Sequence, residues 1–284
     1  MRASGILILP LVALAVSCSD PDGHEPQDVV SRFEQKMVAM EFTSVHCTYC
    51  PILATAVKEV DKDYPGKLIP VSFHLDFGGL ADPMALPINR KFYDKVATGD
   101  GLPMFALNFR KSSIHIVNEY AKIVSELEHQ EKTYPAVCGV AVSSEYDEAQ
   151  NKLTVNARFI SDIERDYRCH ILLIEDSVPY FQAGSEQDEY LHDCVFRAMA
   201  GDNIKGMIMN DGNPLKPGTE YAVTKSFDVS QDWNVDNMKV VAAILAAEGD
   251  AYCSNNAAVA QVGKTSSLWK ARANALPLYA FPTR

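Results

Sequence analysis

Apolar and polar positions along this chain follow two regimes, and the change between them falls near residue 136. In the first, compact apolar runs alternate with segments of helical spacing. Residues 37–42 read as a short apolar strand, and residues 52–60 carry apolar side chains at helical spacing up to the breaker pair Pro65-Gly66. Residues 68–75 are apolar enough for a central strand buried on both faces. A polar excursion with Gly and Pro, around residues 77–87, precedes a helix expected at 86–96. Strands follow at 104–109 and 113–117. A helix at 119–132 closes the half, with Tyr120, Ile123, Val124 and Leu127 on one face. Strands alternating with helices predict an α/β domain over residues 36–134.

The second regime is one of short alternating strands. Residues 137–144, 152–161, 168–175, 221–228, 238–246 and 258–262 each have this pattern. The clearest is 152–159, where Leu153, Val155, Ala157 and Phe159 share one face and polar residues the other. Strands of this kind, separated by turn residues, predict an all-β, immunoglobulin-like sandwich domain over residues 135–284. The connection at 180–220 breaks the regularity and reads as a loop-rich interaction surface. The Asp211-Gly212-Asn213 cluster within it lacks the closing glutamate of a calcium loop and reads as a turn.

The start of the chain belongs to neither regime. Arg2 precedes an apolar stretch at residues 6–16 that is too short to span a bilayer and has the form of a signal-peptide core. It ends Leu14-Ala15-Val16-Ser17-Cys18, and small residues before a cysteine resemble the lipobox of bacterial lipoproteins. That resemblance makes residues 1–18 a signal segment and Cys18 the lipidated mature N-terminus. Residues 19–35, rich in Asp, Pro, Gly and Glu, would form a flexible tether. Each acyl methylene adds about 0.8 kcal/mol of membrane affinity, so several chains on Cys18 would hold a folded body at the membrane. An ordinary secretory signal with an incidental cysteine would also export the chain.

Composition sets limits on partners. A formal net charge of −11 with no basic run excludes a nucleic-acid-binding face. Hydrophobic residues at 47% allow a real core in each half, so the exported part is expected to be folded. Export places Cys47, Cys50, Cys138, Cys169, Cys194 and Cys253 where disulfides persist. Of the four in the second half, Cys194 and Cys253 are the expected pair, because both sit in polar, loop-like contexts. Cys138 and Cys169 fall on strands as small buried hydrophobes.

The chemistry concentrates at Glu41-Phe42-Thr43-Ser44-Val45-His46-Cys47-Thr48-Tyr49-Cys50-Pro51, where the first strand turns into its helix. Cys47 would sit at the helix N-terminus, where unpaired N–H groups and the helix dipole favour a thiolate, the form that attacks a disulfide. Cys50, one turn on and more buried, would be the resolving thiol. Thr48 and Tyr49 would tune the redox potential. Pro51 lacks an N–H, so the regular helix should start there or kink. A protonated His46 would favour the thiolate further, or His46 is a solvent-facing loop residue. A zinc site needs two more ligands, and no second CxxC or His-x3-His spacing supplies them. Copper held by His46, the two thiols and a distant His rests on composition alone. No metal or organic cofactor is expected.

Gly101-Leu102-Pro103-Met104-Phe105 resembles the loop in which thioredoxins place a cis-proline opposite their dithiol. The resemblance implies a thioredoxin-like N-terminal domain, a cis Pro103, and a Leu102 backbone that pairs with an extended substrate. It also puts Glu41 at the position of a buried acid that moves the second thiol's proton. Burial would raise such a carboxyl toward neutrality; an edge position would leave it solvated. The whole chain resembles the outer-membrane-protein-28-related lipoproteins, which join a thioredoxin-like domain to a C-terminal β-sandwich. Three places carry this: the signal ending at Cys18, the Cys47-to-Pro51 segment, and His192-Asp193-Cys194-Val195-Phe196-Arg197, similar to a His-x-x-Val-x-Arg signature.

Two functions follow. In one, the protein is an envelope-anchored thiol–disulfide oxidoreductase in which Cys47 attacks, Cys50 resolves, Glu41 assists and Pro103 shapes the groove. Its partners would be protein or peptide thiols and disulfides and an unidentified redox partner, with the membrane reached through the lipid anchor. In the other, it is a non-enzymatic surface lipoprotein: the dithiol is a staple, the first fold a scaffold and the sandwich the binding module.

Overall fold

The computed structural model describes residues 32–112, 114–115, 119–187 and 189–266; Cys18 and the expected signal segment lie outside them, and the expected tether is corrected at its end, where Phe33 is buried against Ala136 and Ile160 and Arg32 pairs with Asp162. The first half runs β1 (Met37–Thr43), α1 (Cys50–Asp63), β2 (Leu68–His74), α2 (Pro87–Val96), β3 (Met104–Leu107), β4 (Ile114–His115) and α3 (Glu119–Thr133). Strand β1 is buried at every position but Thr43, as a sequence apolar everywhere except Glu41 and Thr43 requires of a strand covered on both faces. It pairs in parallel with β2 and antiparallel with β3. Its alternate side chains serve two layers. Met37 and Ala39 pack with Leu53, Val57 and Val60 of α1 and with Ile123 and Leu127 of α3. Val38, Met40 and Phe42 pack on the other face with Phe92, Tyr93 and Val96 of α2. Pro87 opens α2, where its missing N–H costs nothing.

The second half supplies β5 (Cys138–Asp147), β6 (Lys152–Ser161), β7 (Tyr167–Glu175), β8 (Val178–Tyr180), β9 (Tyr190–His192), β10 (Val195–Met199), β11 (Met207–Ile208), β12 (Glu220–Asp228), β13 (Met238–Glu248) and β14 (Ala251–Gln261). Among the described residues these strands divide between layers. β12, β6 and β5 form a three-stranded sheet, and β5 packs against β13 and β14. The others extend the sheet of the first half, in the order β14-β13-β7-β10-β2-β1-β3-β4, with β11 on the edge of β7. β8 and β9 form a separate hairpin. Strands before and after residue 134 therefore share one mixed, strand-dominated sheet, which does not close into a barrel.

The join is β10. Val195 pairs in parallel with Ser72 of β2 and antiparallel with Glu175 of β7. Aromatic packing crosses the same line, with the rings of Phe73 and Phe196 4.9 Å apart and those of Phe92 and Phe196 6.4 Å apart. The connection over 180–220 is rich in loops, as expected, but three short strands, β9, β10 and β11, lie within it. The strand β10 has only five residues, and its register shifts between Phe196 and Ala198, which erases the period-two signal.

Candidate functional site

Strand β1 delivers the chain to a turn at Ser44, and hydrogen bonds within that turn set the two cysteines. Cys47 N–H donates to Ser44 O at 3.0 Å and Cys50 N–H to Cys47 O at 3.3 Å. α1 begins at Cys50, with Pro51 in its first turn. Cys47 and Cys50 form a disulfide with their Cα atoms 5.4 Å apart. Thr48 and Tyr49 project to solvent between them. The Leu102–Pro103 peptide is cis. It leads into β3, whose Met104 is the register partner of Phe42, so the proline arrives beside the end of β1 and the dithiol turn. Leu102, Cys47 and Cys50 belong to one core cluster.

Behind the disulfide lies a cavity of about 340 Å³ lined by Cys50, Glu41, Lys58, His192, Asp193 and other residues of both halves. Glu41 sits on the central strand β1, opposite Ser72 and Phe105, and is 7% exposed. Burial pushes its carboxyl up to about 7; the Lys58 cation tempers this and the Asp193 charge adds to it. Lys58 follows Cys50 and Ala54 at four-residue intervals on α1, so all three reach the same cavity. Its ammonium donates to Asp193 Oδ2 at 2.8 Å. Among the described residues no group of three or more His, Cys, Asp or Glu is arranged to hold a metal ion.

A segment of the second half covers the dithiol. In the loop between β8 and β9, Gln182 Nε2 donates to Cys47 O at 2.9 Å and to Ser44 O at 3.2 Å, and Ala183 N–H donates to Val45 O at 2.8 Å. Gly184 follows at φ +79°, so close that a Cβ there would overlap the Thr48 carbonyl. On the other flank, His46 Nε2 meets Ala81 O at 3.0 Å. Asp82 accepts from Val45 N–H at 2.8 Å and pairs with His74 Nδ1 at 2.9 Å. Burial opposes the Asp82 charge, but the His74 contact and two backbone N–H groups outweigh it and hold the carboxyl below its usual range. The polar excursion after β2 is thus one wall of the dithiol turn.

Two expectations need correction. The expected contrast in burial between the two cysteines is absent: Cys47 is 1% exposed and Cys50 3%, because the Gln182–Gly184 segment lies on the turn and covers Cys47 as well. Cys194 and Cys253 do not pair; both are free thiols. Cys194 Sγ lies 3.5 Å from Asp176 Oδ1 beside the cavity, whereas Cys253 is on strand β14, not in a loop, and its Sγ faces Phe109 O at 3.8 Å. Cys138 and Cys169 are free and buried.

Lys58, Gln182 and Asp193 were not among the residues singled out for chemistry. Lys58 had a signal in its helical spacing from Cys50, and Asp193 lies inside the His192-to-Arg197 segment. Nothing in the local sequence marks Gln182. That segment makes the join: Arg197 Nε bonds Glu175 Oε2 at 2.7 Å, and Val195 bridges β2 and β7.

No curated protein matches the chain in sequence. Among solved structures, HBP35 of Porphyromonas gingivalis is similar in fold, with TM-score 0.67 and 17% identity over 89% of this chain and 82% of that one. A protein from Agrobacterium tumefaciens is also similar, with TM-score 0.52 and 16% identity over 81% of this chain and 96% of that one. The family model described as Outer membrane protein Omp28 matches residues 90–266, from within α2 past the end of β14, and leaves the dithiol turn outside the match. By that match, which takes in the join at β10 and most of the chain, this protein belongs to the Omp28 family of outer-membrane proteins.

Proposed function

We propose that the chain is a thiol–disulfide oxidoreductase of the cell envelope, held by lipid on Cys18, with a thioredoxin-like first half and an immunoglobulin-like sandwich built onto it. The observation that carries this reading is Glu41. A disulfide staple has no use for a carboxyl buried behind it, whereas a dithiol that exchanges protons near neutrality does. In the forward direction the Cys47 thiolate attacks one sulfur of a substrate disulfide and expels the other as a thiolate. Cys50 passes its proton to the Glu41 carboxylate, and its thiolate attacks the Cys47 sulfur of the mixed disulfide. This closes the Cys47–Cys50 bond and expels the second substrate thiolate, which takes the proton from Glu41. Two electrons leave the dithiol and reduce one substrate disulfide; the reverse sequence oxidises a substrate dithiol.

Cis Pro103 and the Leu102 backbone fit the recognition of an extended segment beside the sulfurs. Tyr49, Ile52 and Phe181 expose apolar side chains from the dithiol turn, α1 and the covering loop, which suits a polypeptide substrate. One observation favours the scaffold reading: both sulfurs are buried in the oxidised form. For exchange to occur, the Gln182 segment must lift.

Alkylation of the reduced protein against pH, together with insulin reduction, separates the two. Turnover and a Cys47 titrating clearly below the free-thiol value of about 8.5 are expected. A Cys47 at or above that value, with no turnover, would leave the staple. Trapping with Cys50→Ala should then capture substrates as mixed disulfides on Cys47.

A further inference from the structure

Lys58 shares its cavity with two carboxylates whose charge it feels, Glu41 and Asp193, and the second comes from the far half of the chain. Glu41 lies inside the cavity and Asp193 at its more open side, where Lys58 bonds it at 2.8 Å. Asp193 is itself fixed. Its Oδ1 accepts from Ser177 N–H at 3.0 Å, and its main-chain oxygen accepts from Ser72 Oγ at 3.1 Å. Ser72 is the register partner of Glu41, so the acid of the second half is tied to the strand position beside the acid of the first.

We propose that Asp193 is a positioning residue for the dithiol: by holding the Lys58 ammonium on its own side of the cavity it keeps that cation from closing on Glu41, and so sets the pH at which Glu41 and Cys50 exchange a proton. The inference deepens the oxidoreductase reading and takes its catalytic meaning from it.

The remaining groups around Glu41 leave Lys58 as the cation that matters. From α1, Asp61 is the other charged residue at the cavity, and burial raises its carboxyl. From β2, His74 is bound to Asp82. From β9, burial pushes His192 down to about 4, so it is neutral near pH 7, and burial likewise raises the Tyr190 hydroxyl and keeps it uncharged. The Cys194 thiol is held protonated by burial and by Asp176. Lys239 of β13 is paired with Asp176. Near neutral pH the balance at Glu41 therefore lies with Lys58 and with the partner that holds it.

The test is an NMR titration of the Glu41 side-chain carboxyl in the full chain in its disulfide form, assigned by loss of the signal in Glu41→Gln. Asp193→Asn should lower the midpoint by about one unit, because it frees Lys58 and removes a like charge. Lys58→Met, which leaves Asp193 and its backbone contacts in place, should raise it. In the double variant the effect of Asp193→Asn should fall to less than half, since no cation remains to be released. An unmoved midpoint in either single variant overturns the proposal; so does full additivity. Should Asp193→Asn fail to fold, Asp193→Ser, whose hydroxyl can still accept from Ser177 N–H, is titrated in its place, with the same fall expected and the same unmoved midpoint overturning the proposal. The measurement uses no substrate, so absence of turnover sinks the oxidoreductase reading without touching this linkage, and an unmoved Glu41 sinks the linkage without touching turnover.

Discussion

Ser72 and Val195 are register partners in parallel strands from opposite halves of the chain, and Ser72 N–H donates to Cys194 O at 2.8 Å beside them. The residues before Val195 line the dithiol cavity, and the residues after it continue into the sheet. Damage to the join should therefore appear both in stability and at the cysteines.

Arg197→Ala tests the first half of that statement. Arg197 is paired with Glu175, which is 4% exposed and also accepts from Asn234 N–H at 2.8 Å. Removing the cation leaves a buried carboxylate without its counter-charge, a loss of about 3–5 kcal/mol. Urea unfolding at neutral pH should show it. A loss under about 1 kcal/mol would mean that Glu175 finds enough compensation in the backbone.

Glu41→Gln should stabilise the protein at neutral and alkaline pH. The folded carboxyl is raised from 4.5 to about 7, so between these values the folded state holds a proton that the unfolded state has lost. Stability of the parent protein accordingly falls as pH rises through this window and stays reduced above it. The neutral amide escapes that penalty and should gain about 2–3 kcal/mol at pH 8. The two unfolding curves should converge below pH 4.5. Equal stability at pH 8 would contradict the burial argument.

Gly184→Ala should uncover the dithiol. A methyl group there overlaps the Thr48 carbonyl, and the φ of +79° disfavours any L side chain, so the segment must shift away from the turn. A cost of about 1–3 kcal/mol is expected, with faster reduction of Cys47–Cys50 by a bulky thiol reductant. If the reduction rate stays at the parent value, the segment is not what limits access.

Acid unfolding should depend on His170. Burial, with Lys95 nearby, pushes this imidazole down to about 3, and its ring packs on Phe92 and Phe109. It is neutral when folded, so stability is complete above the ordinary value of 6.5 and is lost as pH falls toward 3. His170→Phe retains a ring and removes the proton-binding site. Its acid-unfolding midpoint, read by circular dichroism, should lie lower by about half a unit or more.

Thiol counting addresses the corrected pairing. Unfolding without reductant in the presence of iodoacetamide should modify Cys138, Cys169, Cys194 and Cys253 and leave Cys47–Cys50 intact. A linked Cys194–Cys253 peptide in the digest would reinstate the pair.

Local patterns were readable in the chain and distant ones were not. The period-two run from Leu153 to Phe159 marks β6, and the helical spacing after Pro87 marks α2. The dithiol turn and Leu102-Pro103 are each a short contiguous string. What lay hidden depends on residues far apart in sequence. Gln182 reaches Cys47 and Asp193 reaches Lys58 across 135 positions each, and no local periodicity records such a meeting. The strand β10 escaped for a different reason. It is short, irregular and flanked by turns, so it looked like the loops around it. Cys253 misled because its neighbours Ser254, Asn255 and Asn256 are polar. These residues are nonetheless buried, with Asn255 and Asn256 hydrogen-bonded to the backbone of β5 and of the residues before it.

The continuity of the large sheet has a consequence for any attempt to divide the protein. Cut after residue 134, the first half would lose β10 and expose the flank of β2, whose sequence Leu68-Ile69-Pro70-Val71-Ser72-Phe73-His74 is mostly apolar. A bare edge of that composition invites pairing with another copy, and Pro70 alone interrupts its row of donors. The isolated fragment should therefore self-associate, and a dithiol assay made on it would report on an aggregate.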